Sequence, residues 1–422
     1  MKIPIYINKK SLSWSLYDWG NSAFATTIMA GFFPIYFKNY ICRDLAIEQS
    51  TFLLGVGNSI GGFAIAFLAP ILGALADNRQ QKKYFLFVLM LIGALGSMAL
   101  GAIPTGSFYL AIGVYALAAL GFSGGNIFYD ALIMQVSKPD HFDQVSGMGF
   151  GLGYLGGGLL FVLNVLMYQF PQWFGIESAT TAVQWSFVTV GIWWILFSLP
   201  LFLFVPENMS IESKKNQKIK NVFIELKNTL KKISHHRPLL WFLLGYMLYI
   251  DGINTVIKMA VDFGLSLGFD ASHLIKALIL VQFVAFPAAL IFGWAGNRFG
   301  AIKAVIFGLV VYLFVVSYGY HLKTLDQFYF LAGTIGCVQG GVQALSRSIF
   351  ATMVPSENSA EYFGFFNMIG KFASIFGPLV VGLTTLVTAN ARSGILSLSI
   401  FFVIGIVFLF LSYQGKKKQM VP

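Results

Sequence analysis

Asp251, Lys258 and Asp262 stand 7 and 4 residues apart in a stretch, 239 to 267, that is otherwise largely apolar. At about 100° per residue they share one face of a helix. Gln339, Gln343 and Arg347 step by four, with Ser346 adjacent, and Ser123, Asn126 and Asp130 step by 3 and 4. Asn367 and Lys371 repeat the i, i+4 spacing. Near the start, YDWGNSAFATT (Tyr17 to Thr27) sets Asp18, Asn21 and Ser22 in the first turns of another apolar run. Such groups can hold a charged solute. A carboxylate takes an ammonium or a proton, and an arginine takes a carboxylate by two parallel hydrogen bonds. The structural alternative is that Asp130 with Arg347, or Asp251 with Lys258, are paired charges that only hold helices in register.

Bond-making chemistry is not indicated. The five histidines, His141, His235, His236, His273 and His321, lie in or beside loops and make no metal spacing. Cys42 and Cys337 fall in different halves, with no disulfide or metal pattern. No Gly-x-x-x-x-Gly-Lys-Ser/Thr loop is present, so there is no sign of direct ATP use. The expectation is no enzyme, no cofactor and no metal.

The elements that must position these residues follow from composition. Apolar residues make up 57% of the 422, charged residues only 11%, and mean hydropathy is +0.74. A soluble chain needs roughly 25% charged residues to cover its surface. No charge occurs between Lys83 and Asp130, or between Asp143 and Glu177. Uncharged runs this long fit helices in lipid, each of about 20 residues. A transmembrane β-barrel would show short alternating segments, and none is visible. The predicted class is all-α integral membrane. Its twelve spans are 15 to 38, 52 to 76, 84 to 103, 108 to 136, 145 to 170, 183 to 205, 239 to 267, 272 to 296, 303 to 321, 325 to 352, 362 to 388 and 393 to 413. Lys9 and Lys10 lead straight into the first span, which reads as retained, and there is no myristoylation signal.

The net charge of +11 is distributed by side rather than in a nucleic-acid patch. One set of connections, with both termini, holds 20 of the 28 Lys and Arg residues. The opposite set holds Lys38, Arg43, Lys323 and Arg392. By the positive-inside rule both termini are cytoplasmic. The short loops favour a bacterial inner membrane.

Residues 207 to 238 form the only long connection, which divides the chain into bundles 1 to 206 and 239 to 422. Within it Phe223, Leu226, Leu230 and Ile233 recur at 3, 4 and 3 beside Lys227, Lys231 and Lys232. That is an amphipathic helix for the membrane surface, or a solvated tether. The two halves also repeat. Gly124-Gly125 and Gly340-Gly341 differ by 216, Gly147 and Gly364 by 217, and D-x-x-N-S at Asp18 answers D-x-x-N-T at Asp251. Parallel repeats of this kind place a solute site between the halves, near the bilayer midplane.

A charge at the centre of a helix in lipid costs about 2.5–3.5 kcal/mol, so it must face water or a partner. Spans 1, 4, 7 and 10 are therefore expected to line one cavity with Asp18, Asn21, Asn126, Asp130, Asp251, Asn254, Lys258, Gln339, Gln343 and Arg347, joined by Lys371 of span 11. The loop after span 2, with Gly73, Asp77 and Arg79, is expected to gate it: Asp77 pairs across to the other half in one state and parts from it in the other, while Arg79, Lys82 and Lys83 anchor at the membrane face.

Twelve spans, a central linker and a G-x-x-x-D-x-R loop resemble the major facilitator superfamily, with Gln80 where that superfamily commonly has glycine. YDWGNSAF, GYLGGG (Gly153 to Gly158), YIDGINT (Tyr249 to Thr255), GGVQALSRSIF (Gly340 to Phe350) and FGFFNMIGKFASIFGP (Phe363 to Pro378) are similar to the autophagy-related vacuole-effluxer-like family. Its bacterial members are called the "unknown major facilitator" group. The resemblance implies two pseudo-symmetric six-helix bundles and a secondary active transporter working by alternating access. It also implies a small zwitterion such as an amino acid as the substrate, and buried carboxylates allow proton coupling. Expected partners are that small molecule, protons and the lipid bilayer, with no nucleic acid, the chain acting as a monomer. The alternative is a transporter-like sensor or a lipid translocator.

Overall fold

The computed structural model describes residues 6–207 and 219–420. The linker residues 208–218 lie outside the described residues. All regular structure among the described residues is helical. Helix α1 begins at Lys9–Ala23 and continues to residue 41 through π turns at Phe24–Phe32 and Phe37–Ile41. Then come α2 (Ile47–Arg79), α3 (Lys82–Leu100), α4 (Phe108–Ala131), α5 (Phe142–Gln169) and α6 (Ala179–Phe204). Helix α7 (Ile219–His235) lies in the linker. The second half has α8 (Arg237–Ser266), α9 (Ala271–Phe299), α10 (Ala301–Tyr320) and α11 (Leu325–Ala351). It ends with α12 (Ser359–Ala373), α13 (Phe376–Thr388), α14 (Ala391–Ser397) and α15 (Ser399–Met420).

Eleven stretches among the described residues are long and apolar enough to cross a membrane, and α1 with its π turns completes the twelve of the fold. The expected span ends fall within a few residues of the observed ones, except where the helix itself changes. Span 11 is broken into α12 and α13. Pro378 has no N–H to give the Ser374 carbonyl, and its ring crowds that carbonyl, so the α-helix stops there and restarts. Span 12 is interrupted for one residue, Leu398, between α14 and α15.

The bundles meet along two matching seams. Helix α5 packs on α9, and α12 packs on α2. The glycines of the sequence repeat sit in these seams. A Cβ on Gly147 would lie 2.7 Å from the Ala289 carbonyl oxygen, and one on Gly364 would lie 2.5 Å from that of Ala69. Small residues are needed because the backbones touch.

Candidate functional site

A cavity of about 590 Å³ lies between the bundles. Its wall runs from Asp18, Asp130 and Arg347, toward the face that carries the termini, to Phe263, Leu274 and Phe328 near the opposite helix ends. Asp18, Asn126, Asp130, Asn254, Lys258, Gln339, Gln343, Arg347 and Lys371 all line it. The π segment of α1 lends Ala25, Thr26, Met29 and Ala30 to the same wall. There the Phe33 N–H bonds the Ile28 carbonyl five residues back, the ring that widens an α-helix at many functional sites.

Arg347 is the hub of the floor. It is 3% exposed and stands on α11 of the second bundle, yet all its partners are on the first. Its Nη1 donates to Asp130 Oδ1 at 3.0 Å and lies 3.9 Å from Asp18 Oδ2. Its Nε donates to Ser146 Oγ at 2.9 Å and its Nη2 to the Ser146 carbonyl at 3.1 Å. The rings of Trp14, Tyr129 and Phe150 surround the guanidinium, with centroids 4.7, 5.2 and 4.4 Å away. Tyr129 Oη donates to Asp18 Oδ2 at 3.2 Å, and Ser22 Oγ to Asp18 Oδ1 at 3.2 Å. Asn367 Nδ2 donates to Asp130 Oδ2 at 3.4 Å. Of the two readings left open for Arg347, this arrangement shows the pairing with Asp130: each of its three nitrogens already has a protein partner.

Two expectations are corrected. Asp251 is buried but does not line the cavity; it faces the break in span 11. Its Oδ2 accepts the Gly377 N–H at 2.8 Å and its Oδ1 the Thr255 hydroxyl at 3.4 Å. The carboxylate thus satisfies a backbone donor at the start of α13, where the helix dipole favours negative charge. Asn21 is also off the wall, 1% exposed, and its Nδ2 donates to Asn126 Oδ1 at 2.7 Å. It ties span 1 to span 4. The side chain of Asp262 lies outside the described residues.

Residues that the spacing did not single out complete the floor. Tyr154 of α5 accepts from Gln339 Nε2 at 2.8 Å and donates to Gln343 Oε1 at 3.1 Å, so both glutamines are held across the interface. Gln282 Nε2 donates to Thr26 Oγ1 at 2.8 Å, again from one bundle to the other. Tyr154 belongs to the GYLGGG stretch and Ser146 adjoins the repeat glycine Gly147, but neither forms an i, i+4 polar stripe.

The end of the cavity nearest the termini is closed. Asp77 Oδ2 accepts the backbone N–H of Glu361 at 2.7 Å, in the first turn of α12. Lys82 Nζ lies 2.9 Å from Asp77 Oδ1 and donates to Ser359 Oγ at 2.7 Å. One bundle thus caps a helix of the other with a paired carboxylate. The cation beside Asp77 is Lys82 of its own half, while Arg79 is exposed and in no salt bridge among the described residues. Gln80 sits in the left-handed region at φ 53°, where glycine would be unstrained. A Cβ at Gly73 would come 2.2 Å from the Ala360 carbonyl oxygen. Gly73→Ala should therefore force α2 from α12, costing about 1–3 kcal/mol of the closed arrangement. Thiol labelling of a cysteine placed at Ser359 should be faster in that variant than in a Gly73 background; equal rates would mean the seam absorbs the methyl group.

The chain matches the family model described as "Vacuole effluxer Atg22 like" over residues 43–141 and 134–421. It is 38% identical over 403 residues to the uncharacterized MFS-type transporter YxiO of Bacillus subtilis, spanning 95% of this chain and 94% of that protein. It is 22% identical over 484 residues to autophagy-related protein 22 of Eremothecium gossypii, spanning 98% and 92%. Its fold matches the human organic anion transporter MFSD10, with a TM-score of 0.74 at 15% identity, covering 95% of this chain and 99% of that one. FucP in its outward conformation gives a TM-score of 0.72 at 13% identity, covering 96% and 99%. Matched from end to end in sequence and in fold, the chain belongs to the vacuole effluxer Atg22-like family of MFS-type transporters.

Proposed function

We propose that this transporter carries a small zwitterion, an amino acid or a solute of that class, by alternating access. The observation that carries the reading is the distribution of charge in the cavity. Two carboxylates at the floor, Asp18 and Asp130, share one guanidinium. Asp130 holds it at 3.0 Å while Asp18 is 3.9 Å away, so Asp18 is the carboxylate left to receive an ammonium. On the second bundle Lys258 and Lys371 face the same space, and neither is in a salt bridge among the described residues. A solute carboxylate is placed against Lys371, since the Arg347 guanidinium is already engaged. The gate at Asp77 and the bonds through Arg347, Tyr154 and Gln282 all cross between bundles, so they must break for the other face to open.

A proton on Asp18 would replace the ammonium when the cavity is empty, which is a route to proton coupling. The same reading places the chain in a bacterial inner membrane with both termini in the cytoplasm, working as a single chain.

A thermal-shift screen of the purified protein against amino acids, short peptides, nucleosides and sugars tests this, since a ligand stabilises the state it binds. Amino acids should raise Tm. Lys371→Gln should weaken that binding roughly tenfold, the worth of one hydrogen bond to a charged group. Stabilisation by neutral sugars alone would overturn the zwitterion reading.

A further inference from the structure

Helix α7 belongs to neither bundle. The sequence makes it amphipathic, and the structure divides its apolar stripe in two. Leu226, Thr229 and Ile233 are buried, where α7 packs on α2 and α8. Phe223 and Leu230, seven residues apart and so on one line of the helix, are 57% and 49% exposed. Lys227 and Lys231 are exposed beside that line.

The buried edge touches both sides of the gate. Asn78, next to Asp77, donates from Nδ2 to Glu225 Oε2 at 2.8 Å. Thr229 lies against Glu361, the residue whose N–H Asp77 holds. Helix α7 therefore crosses the seam that parts when the gate opens, and the parting must break one of these contacts.

Helix α7 sits where α2 ends, with Asn78 bonded to Glu225, and it runs on into α8 at Arg237. Helices α2 and α8 are both membrane spans, so that level is the headgroup layer. An apolar line bordered by ammonium groups at this depth fits an anionic lipid surface: the rings and methyl groups enter the acyl boundary and the lysines meet phosphates. We propose that α7 straps the closed gate to an anionic membrane surface, so that anionic lipid favours the state in which the gate is shut.

Spin labels at Gln81→Cys and Ser356→Cys, exposed positions on opposite sides of the gate, read its opening. Cys337→Ser clears the exposed native thiol, and Cys42 is buried. The full chain is placed in vesicles of phosphatidylcholine, with or without phosphatidylglycerol. The short distance should dominate with phosphatidylglycerol, and a longer one should gain without it. Lys227→Gln with Lys231→Gln should weaken docking roughly twenty-fivefold, about fivefold per lysine near an anionic surface, and erase the lipid difference. A label at Ser234→Cys, on the same exposed side, should be shielded from aqueous relaxation agents only with phosphatidylglycerol. Equal distances in both lipids, a lipid effect kept by the double variant, or a Ser234 label that stays wet would each overturn the proposal. The readouts are distances and depth, so they stand whatever solute is carried.

Discussion

Arg347→Ala is expected to leave little folded protein. The substitution strands Asp130 and Asp18 without their cation, next to the ring faces of Trp14, Tyr129 and Phe150. Removing one partner of a buried pair costs about 3–5 kcal/mol, because the charge left behind is uncompensated. Three hydrogen bonds between the bundles go with it. Asp130→Asn should be milder, since Asp18 remains to face the guanidinium. Exchanging the charges, Asp130→Arg with Arg347→Asp, should not recover what the single change loses. An arginine at 130 would start from the first bundle, the side that already carries Ser146, so the hydrogen bonds by which Arg347 reaches the Ser146 carbonyl and hydroxyl across the interface would not re-form. Thermal melts in detergent decide the matter. Recovery of Tm in the exchanged variant would show that opposite charge alone holds the pair, and that Ser146 and the rings contribute little.

The second large effect is at Asp251. Asp251→Ala removes the acceptor for the Gly377 N–H at the start of α13. Loss of a capping side chain costs about 1–2 kcal/mol, and this one is charged and buried. Helix α13 should lose its fixed position, Tm should fall and transport should stop. Ligand binding at the proposed Asp18 and Lys371 site should survive within a few-fold, because Asp251 is not on the cavity wall. Asp251→Asn keeps an acceptor oxygen and should be the gentler change. If Asp251→Asn abolished binding at an unchanged Tm, Asp251 would be touching the solute, and its role as a cap would be wrong.

These two residues also show where reading a sequence reaches its limit. The helical period placed Asp251, Lys258 and Asp262 on one face, and Gln339, Gln343 and Arg347 on another. A face is a sector of about 100°, wide enough to hold both a cavity and a neighbouring helix. Lys258 fell on the open part of its sector and Asp251 on the packed part. The break that occupies Asp251 was not legible in Phe376-Gly377-Pro378, because Pro70, Pro200 and Pro287 also stand inside spans and those helices continue through them. Its partner was not legible either, since 126 residues separate Gly377 from Asp251.

The amino-acid sequence by itself determined that the chain lies in a membrane, how many times it crosses, and that its halves repeat. Those properties follow from the cost of placing charge and bare backbone in hydrocarbon, a cost each segment meets locally. The tertiary structure alone decided that Arg347 is engaged by the first bundle, that Lys82 is the cation beside Asp77, and that Tyr154 holds both glutamines. Each of these depends on how two bundles are rotated and pressed together. That rotation is set where glycines such as Gly147 and Gly364 let backbones touch, and the period of a single helix carries no record of it.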